Sequence, residues 1–163
     1  MGRTEKKLIG KNLNSILNLL KSAYCDEVQI FHYFWYVSIN MEGIGLVTYS
    51  AALKTQATGE LLHAELLANR ISELGGRAPS NPLEWKKLGT VGDLDPSKHL
   101  TLRSALEKAQ VFEGKAVENY TNLVLKATEA NDFVTRRLAE TILTDEVKDE
   151  QHTEDVLKHL EVK

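Results

Sequence analysis

Four glutamates occupy positions where a helical protein normally places apolar residues. Each lies on a seven-residue repeat whose other members are largely apolar, such as Leu20 before the first of them and Phe34 after it. The four are Glu27, Glu60, Glu113 and Glu146. Residues at this spacing return to one face of a helix, so the glutamates are predicted to face inward. Glutamate is almost never fully buried unless it is paired or bound to a metal.

The spacing of the glutamates predicts that they share one site. Glu60 lies 33 residues after Glu27, and Glu146 lies 33 residues after Glu113. In each half of the chain, the two glutamates are separated from the turn between their helices by similar numbers of residues. They therefore lie at the same level of an antiparallel helix pair. Four carboxylates in a low-dielectric core repel one another unless protons or cations neutralise them. Two divalent cations would supply that charge. The alternative, without a metal, is that the glutamates tilt to solvent or form salt bridges.

Further ligands follow at helical spacing. His63 comes three residues after Glu60 and shares its helix face. Asp149 holds the equivalent place after Glu146, and His152 follows three residues later. We predict Asp149 as the ligand, with His152 reaching at most a second or transient site. Carboxylate and imidazole ligands without thiolate suit iron or manganese better than copper.

Two tyrosines lie close to the glutamates on the same stripes. Tyr24 is one turn from Glu27, and Tyr120 is two turns from Glu113. They are interpreted either as partners of the ligands, by hydrogen bonding or electron transfer, or as ordinary core residues. Cys25 is the single cysteine, which excludes an intrachain disulfide and a cysteine-based metal site. It is predicted to be a small buried residue.

Four long helical segments position these residues. The periodicity predicts helices over about 11–41, 46–74, 101–129 and 132–161, with Thr101 and Asp132 as N-caps. The connection 75–100 holds all three prolines, and Pro82–Leu88 is predicted to form a short helix. Its 26 residues are long enough to climb back along a bundle of about 40 Å. The pattern therefore predicts an all-α four-helix bundle of two antiparallel pairs joined by a long crossover.

Composition is consistent with one globular domain over residues 1–163. The chain is 42% hydrophobic and 26% charged, with few glycines and prolines to interrupt helices. Its net charge of −3 disfavours non-specific binding to DNA. Neither a signal peptide nor an apolar run long enough for a membrane span is present, so a cytoplasmic location is expected.

At these residues the chain resembles the ferritin-like superfamily, whose bundles bind a di-iron centre through two glutamates and two Glu-x-x-His pairs. It is most similar to bacterioferritins and to Dps-like proteins, including thioferritins. The similar segments include Ile71–Gly76 and Glu113–Tyr120. The resemblance implies two bound iron ions, with manganese or zinc as alternatives. The implied metal ligands are Glu27, Glu60, His63, Glu113, Glu146 and Asp149, with His152 as a further candidate.

The chain departs from these relatives at three points. It lacks the cysteine pair of thioferritins. Leu61 stands where bacterioferritins carry a haem-binding methionine, so no haem is expected. Asp149 stands in place of the second histidine. Only 17 residues follow Glu146, too few for the fifth helix of 24-subunit ferritins, so a hollow homo-oligomer of 12 chains is expected.

The function implied is that of a ferroxidase that stores or detoxifies iron, oxidising Fe(II) with O2 or H2O2. One alternative is another di-metal redox enzyme on the same bundle, such as a rubrerythrin-like peroxidase, a manganese catalase or an oxygenase. A third possibility is a DNA-protecting or structural bundle without metal chemistry.

Overall fold

The computed structural model describes residues 2–161 of the chain. The first residue and the last two of the predicted domain lie outside this part. The α-helices are α1 (Arg3–Ile9), α2 (Leu13–Asn40), α3 (Ile44–Thr48), α4 (Ser50–Glu73), α5 (Pro82–Leu88), α6 (Leu102–Glu129) and α7 (Phe133–Glu161). Short 3-10 turns occur at Gly10–Asn12 and Pro96–Lys98. Within 2–161, no helix combines the length and apolar character needed to span a bilayer.

The long helices α2, α4, α6 and α7 form a four-helix bundle. α2 packs most extensively on α4, and α6 on α7, as expected for helices joined by short turns. The crossover between α4 and α6 contains α5, which lies against α2. The predicted architecture, two antiparallel pairs joined by a long crossover, is confirmed.

The helix ends follow from their capping residues. The Thr101 hydroxyl accepts a hydrogen bond from the Ser104 amide at 3.3 Å, in a capping box at the start of α6. Asp132 Oδ1 accepts one from the Thr135 amide at 3.0 Å at the start of α7. Both predicted N-caps are therefore confirmed. Gly75, with φ of 81°, supplies the left-handed residue that ends α4.

The predicted helix over 46–74 is divided in the structure. Tyr49, with φ of −130° and ψ of −13°, separates α3 from α4. Leu46 lies on the same seven-residue repeat as Glu60, which predicts that it faces inward. It is instead 45% exposed, because the break takes the preceding turn out of register with α4. Gly45 packs tightly here: a Cβ atom would lie 2.5 Å from Met41 Sδ and 2.9 Å from Leu102 Cβ. This close packing against α6 fixes the position of α3.

Two apolar layers fill the bundle, one on each side of the glutamates. One layer contains Leu20, Leu67, Leu123 and Ile142, and the other contains Ile30, Phe34, Leu53 and Phe112. Each of α2, α4 and α6 contributes residues to both layers, with its glutamate between them. The glutamates therefore lie in the water-poor middle of the bundle. Cys25 is fully buried nearby, as predicted.

Asp26, the neighbour of Glu27, anchors the crossover at the level of the glutamates. Its carboxylate accepts hydrogen bonds from the Thr90 and Val91 amides at 2.6 Å and 3.1 Å, and from the Thr90 hydroxyl at 2.9 Å. Burial raises the pKa of Asp26, and the bonds from Val91 and Thr90 oppose that shift. The loop is close enough that a Cβ atom on Gly89 would lie 2.5 Å from Asp26 Oδ1.

Candidate metal centre

The four glutamates predicted to face inward are all buried. Each is at most 1% exposed, and each comes from a different long helix of the bundle. The prediction that these helices bury one glutamate each is confirmed. Their ligation of a metal stays a prediction.

Four of the predicted ligands meet closely. One ligand-type atom from each of Glu27, Glu60, His63 and Glu146 lies within 4.8 Å of the others. His63 Nδ1 is 3.0 Å from Glu146 Oε1, 3.6 Å from Glu60 Oε2 and 3.8 Å from Glu27 Oε2. Separations of this kind suit several ligands arranged around one cation.

Glu113 lies beside this group and is held by a residue that the sequence analysis did not identify. Its Oε1 atom accepts a hydrogen bond of 2.8 Å from Gln56 Nε2 on α4. Burial raises the pKa of Glu113, and the charges of Glu146, Asp149 and Glu27 raise it further. These charges show that Glu113 shares the polar middle of the bundle with Glu146 and Asp149.

Several buried ligand atoms at the site have no hydrogen-bond partner among the described residues. They are Glu27 Oε2, Glu60 Oε2, His63 Nδ1, Glu113 Oε2 and both carboxylate oxygens of Glu146. His63 Nδ1 and Glu146 Oε1 lie within ion-pair distance, at 3.0 Å, but without the geometry of a hydrogen bond. An unsatisfied buried polar group costs roughly 1–3 kcal/mol, and more when it is charged. A protein can retain so many such groups in one place when a cation binds them. Oxygen-rich ligands with one imidazole fit iron or manganese.

Glu60, Glu113 and Glu146 resist ionisation when no cation is present, because the pKa of each is raised. Burial raises the pKa of Glu60, and the charges of Glu146 and Glu27 add to the effect. Burial and the charge of Glu27 raise the pKa of Glu146 to about 7, although His63 opposes the shift. Burial lowers the pKa of His63, but its interactions with Glu146, Glu27 and Glu60 outweigh this and raise it overall. A bound cation would replace protons as the compensating charge.

The two tyrosines have different surroundings. The Tyr120 hydroxyl donates a hydrogen bond to Glu27 Oε1. Burial raises the pKa of Tyr120, as does the charge of Glu27, so the hydroxyl stays a donor. Tyr120 is therefore a hydrogen-bond partner of one of the four glutamates, and its role beside a metal ligand stays a prediction. Tyr24 instead packs, partly buried, against the apolar layer that contains Leu20.

Asp149 and His152 lie in different environments. Asp149 is partly buried and lines a cavity together with His63. Burial raises the pKa of Asp149, and the charge of His63 opposes that rise. His152 is exposed, and its Nε2 atom lies 2.8 Å from the Tyr49 hydroxyl. The structure therefore brings Asp149, and not His152, towards the glutamates.

Sequence reasoning also missed Asp145. Its Oδ2 atom lies 3.8 Å from His63 Nε2, on the opposite side of the ring from the glutamates. The side chain of Asp145 is 49% exposed and pairs with Lys148 at 2.9 Å. Neither Asp145 nor Gln56 lies on an apolar stripe. The only signal in the sequence was that each lies near one of the four glutamates.

An all-α bundle with a buried cluster of carboxylates and imidazole belongs to the class of metal-binding four-helix bundles. A family model described as "Ferritin-like domain" matches residues 17–162. The chain therefore belongs to the ferritin-like family.

Individual relatives agree with this assignment. A bacterioferritin of Desulfovibrio desulfuricans is 26% identical over 145 residues, covering 89% of this chain and 75% of the relative. A DNA protection during starvation protein of Pyrococcus furiosus is 26% identical over 148 residues, covering 91% of this chain and 80% of the relative. Among solved structures, the bacterioferritin-related protein of Bacteroides fragilis, a dodecameric thioferritin, matches with a TM-score of 0.90 at 24% identity. That match covers 98% of this chain and 95% of the other.

Proposed function

We propose that this chain is a single ferritin-like domain over 1–163 that binds Fe(II) inside the bundle and oxidises it with O2 or H2O2. In this role it would store or detoxify iron. The observation that carries the proposal is the set of unpartnered carboxylate oxygens around His63, enclosed between two apolar layers. Such a set is neutralised either by protons or by cations, and the ferritin-like family supplies the precedent for iron.

The proposed ligands divide between two cations. Glu27, Glu60, His63 and Glu146 would hold one of them, since they already meet within 4.8 Å. Glu113 and Asp149 would complete a second position with the shared carboxylates. Two Fe(II) ions give up two electrons, which reduce H2O2 to water, or O2 to H2O2, with two protons taken up in each case. Hard carboxylate oxygens favour the ferric product.

Other residues of the chain orient the ligands and limit the access of water. Tyr120 holds one oxygen of Glu27 by donating a hydrogen bond to it. Gln56 does the same for Glu113, which leaves its second oxygen free for a cation. The apolar layers keep the site poor in water, which strengthens electrostatic interactions there. Ligands oriented in this way need little rearrangement when a cation binds.

We further propose that the protein assembles into a hollow homo-oligomer of 12 chains that retains Fe(III). The similar Bacteroides fragilis protein is a dodecamer. On the outer face of α4, Leu61, Leu62 and Leu66 are 47%, 55% and 44% exposed. An apolar strip of this kind supports burial against another subunit. No haem is included in the proposal, because Leu61 has no ligand atom for one.

The deciding experiment is aerobic addition of Fe(II) to the metal-free protein, with Fe(III) absorbance followed and the product imaged by electron microscopy. We expect about two iron ions bound per chain before mineral forms, as a two-metal site requires. The double variant Glu60→Gln/Glu113→Gln should lose this binding. Glu118→Gln, an exposed change on α6, is the matched control. Wild-type protein that neither binds nor oxidises iron would refute the proposal.

Binding of manganese with catalase activity, or a monomer or dimer without mineral, would instead indicate a redox enzyme. Retardation of DNA that weakens with salt, in the absence of metal binding, would indicate the third function considered from the sequence.

A further inference from the structure

Two neighbouring residues of α2 are hydrogen-bonded to two neighbouring residues of α6 at the level of the buried glutamates. Glu27 accepts a hydrogen bond from the Tyr120 hydroxyl in the interior of the bundle. Asp26, the residue before Glu27, accepts one of 3.3 Å from the side-chain amide of Asn119, the residue before Tyr120. Consecutive residues of a helix point about 100° apart, so the two links leave each helix in different directions. Together they restrict both rotation of the helices and sliding along their axes.

Thr90 of the crossover completes the link between Asp26 and Asn119. Its hydroxyl accepts a hydrogen bond of 2.5 Å from Asn119 Nδ2 and donates one of 2.9 Å to Asp26 Oδ2. Its backbone amide donates to Asp26 Oδ1, and its carbonyl oxygen accepts a hydrogen bond of 3.1 Å from Lys115 Nζ on α6. Thr90 therefore joins α2 to α6 through both its side chain and its backbone. We call Asp26, Thr90 and Asn119 the clip.

The clip lies across a seam that no short turn holds together. α2 and α6 belong to different hairpins, and they pack on each other less extensively than each packs on its own partner. Glu27 lies on one side of this seam and Glu113 on the other, and both are buried. Metal ligands must be held within about 0.5 Å of their productive positions. Packed helices shift by about 1–2 Å in conformational changes, so the contacts across the seam decide whether the two glutamates stay in place.

Anchoring of the crossover alone does not explain why Asp26 is a buried carboxylate. Its side chain is only 4% exposed, and burying a charged group costs free energy. Neutral side chains of α2 hold α5 elsewhere: the Ser22 hydroxyl donates to one of its carbonyls at 2.8 Å, and Gln29 Nε2 to another at 3.2 Å. Of these three side chains, Asp26 is the one that also hydrogen-bonds α6, through Asn119. A carboxylate can accept all of these bonds at once, because each of its two oxygens accepts more than one.

We infer that the clip is a positioning device for the metal centre. It holds α2 and α6 in the register that keeps Glu27 and Glu113 at the separation that shared cations need. It also keeps the Tyr120 hydroxyl directed at Glu27. The inference rests on the proposed function, because it assumes that the glutamates bind cations. No residue of the clip is a proposed ligand, so its members act on the metal through the helices that carry the ligands.

The test compares Co(II) binding to the full-length, metal-free wild type and Thr90→Val, by calorimetric titration and by the visible absorption of bound Co(II). The absorption bands report how the ligands are arranged, which a change in stability alone does not alter. Thr90→Val keeps the shape of the side chain and the backbone bonds to Asp26, but it removes the hydroxyl that joins Asp26 to Asn119. We expect shifted bands and a loss of about tenfold in affinity for at least one cation.

Two variants control for the substitution itself. Thr90→Ser keeps the hydroxyl and should retain the wild-type affinity and absorption bands. Thr121→Val makes the same change as Thr90→Val at an exposed position on α6, where the hydroxyl bonds to a carbonyl of its own helix. It should leave both measurements unchanged.

Asn119→Ala removes the link from the side of α6 and should reproduce the effect of Thr90→Val. Asn122→Ala, an exposed change three residues further along α6, should have no such effect. Wild-type affinity and bands in both Thr90→Val and Asn119→Ala, even with a loss of thermal stability, would overturn the inference. The same holds if Thr90→Ser behaves like Thr90→Val. Wild-type protein that binds no Co(II) would refute the proposed metal site, and the inference with it.

Discussion

His152 Nε2 lies 2.8 Å from the hydroxyl oxygen of Tyr49, and the two rings stack with centroids 6.2 Å apart and planes inclined by 10°. The imidazole is thus engaged at the surface, at the break between α3 and α4. Asp149, and not His152, is therefore the residue after Glu146 on α7 that lies near the buried glutamates.

We therefore expect Asp149→Ala to impair the site far more than His152→Ala. Loss of the aspartate should lower affinity for one of two cations by at least about tenfold, the smaller end of the effect of altering a metal site. Calorimetric titration with Co(II) and the rate of Fe(II) oxidation both measure it. If His152→Ala removes the second cation while Asp149→Ala retains it, the ligand assignment on α7 is wrong.

The bundle and the burial of its glutamates could be predicted because both depend on periodicity along each helix. A charged residue on an apolar stripe, such as Glu113, is visible in the sequence alone. The break at Tyr49 could not be predicted in this way, since it depends on how tightly Gly45 packs against Met41 and Leu102. For the same reason, the repeat predicts an inward position for Leu46, whereas the structure exposes it.

Residues off the stripes were missed because their roles depend on a second helix or on the crossover. Gln56 looks like a surface residue until α6 brings Glu113 within 2.8 Å of it. In the sequence, Asp145 looks like an ordinary exposed acidic residue that pairs with a lysine on the same helix. Its position beside His63 depends on the packing of α4. Asp26 is buried only because the crossover at Thr90 and Val91 folds over it. Contacts between elements distant in sequence leave no periodic signal.

Tyr120→Phe should destabilise the metal-free protein. The change leaves one buried oxygen of Glu27 without its donor, which costs roughly 1–3 kcal/mol. Chemical denaturation at neutral pH measures the loss. Tyr24→Phe is the matched control, because Tyr24 packs against an apolar layer and should show little change. Equal effects of the two substitutions would contradict the role given to Tyr120.

Asp26→Ala should loosen the crossover. It removes the acceptor of two backbone amides, one hydroxyl and the Asn119 side-chain amide. The orphaned amides of Thr90 and Val91 cost roughly 1–3 kcal/mol each if they stay buried. Hydrogen exchange at residues 89–91 should accelerate. Asp93→Asn, in an exposed ion pair with Lys86, is the control and should leave exchange at those residues unchanged. Unaltered exchange in Asp26→Ala would show that the loop is held by other contacts.

Stability of the metal-free protein should depend on pH through Glu146. Its pKa is raised to about 7 in the folded state, whereas an unfolded glutamate titrates near 4.3. Between these two pKa values, the carboxyl is ionised in the unfolded chain but still protonated in the folded protein. The free energy of unfolding therefore falls as pH rises through this range, and the loss is complete above the folded pKa. A shift of this size corresponds to about 4 kcal/mol.

Glu146→Gln should therefore stabilise the metal-free protein at pH 8 and change little at pH 4. Thermal unfolding at several pH values measures the difference between the variant and the wild type. Saturation with Zn(II) should reverse the order at pH 8, because only the wild type retains the full set of ligands. A difference that does not vary with pH would show that Glu146 is not held in its neutral form by burial.

Gly59→Ala should make the protein more stable, although it narrows the cavity over the site. The new methyl group meets nothing within 4 Å beyond its own helix backbone, so the gain in helix propensity, roughly 0.8–1.0 kcal/mol, should be realised in full. Gly114→Ala on α6 is the comparison: its Cβ would lie 3.2 Å from Glu150 Oε1, which must move, so the gain there should be smaller. Chemical denaturation of both variants measures the contrast. A loss of stability at Gly59→Ala would mean that something in the assembled protein occupies this space.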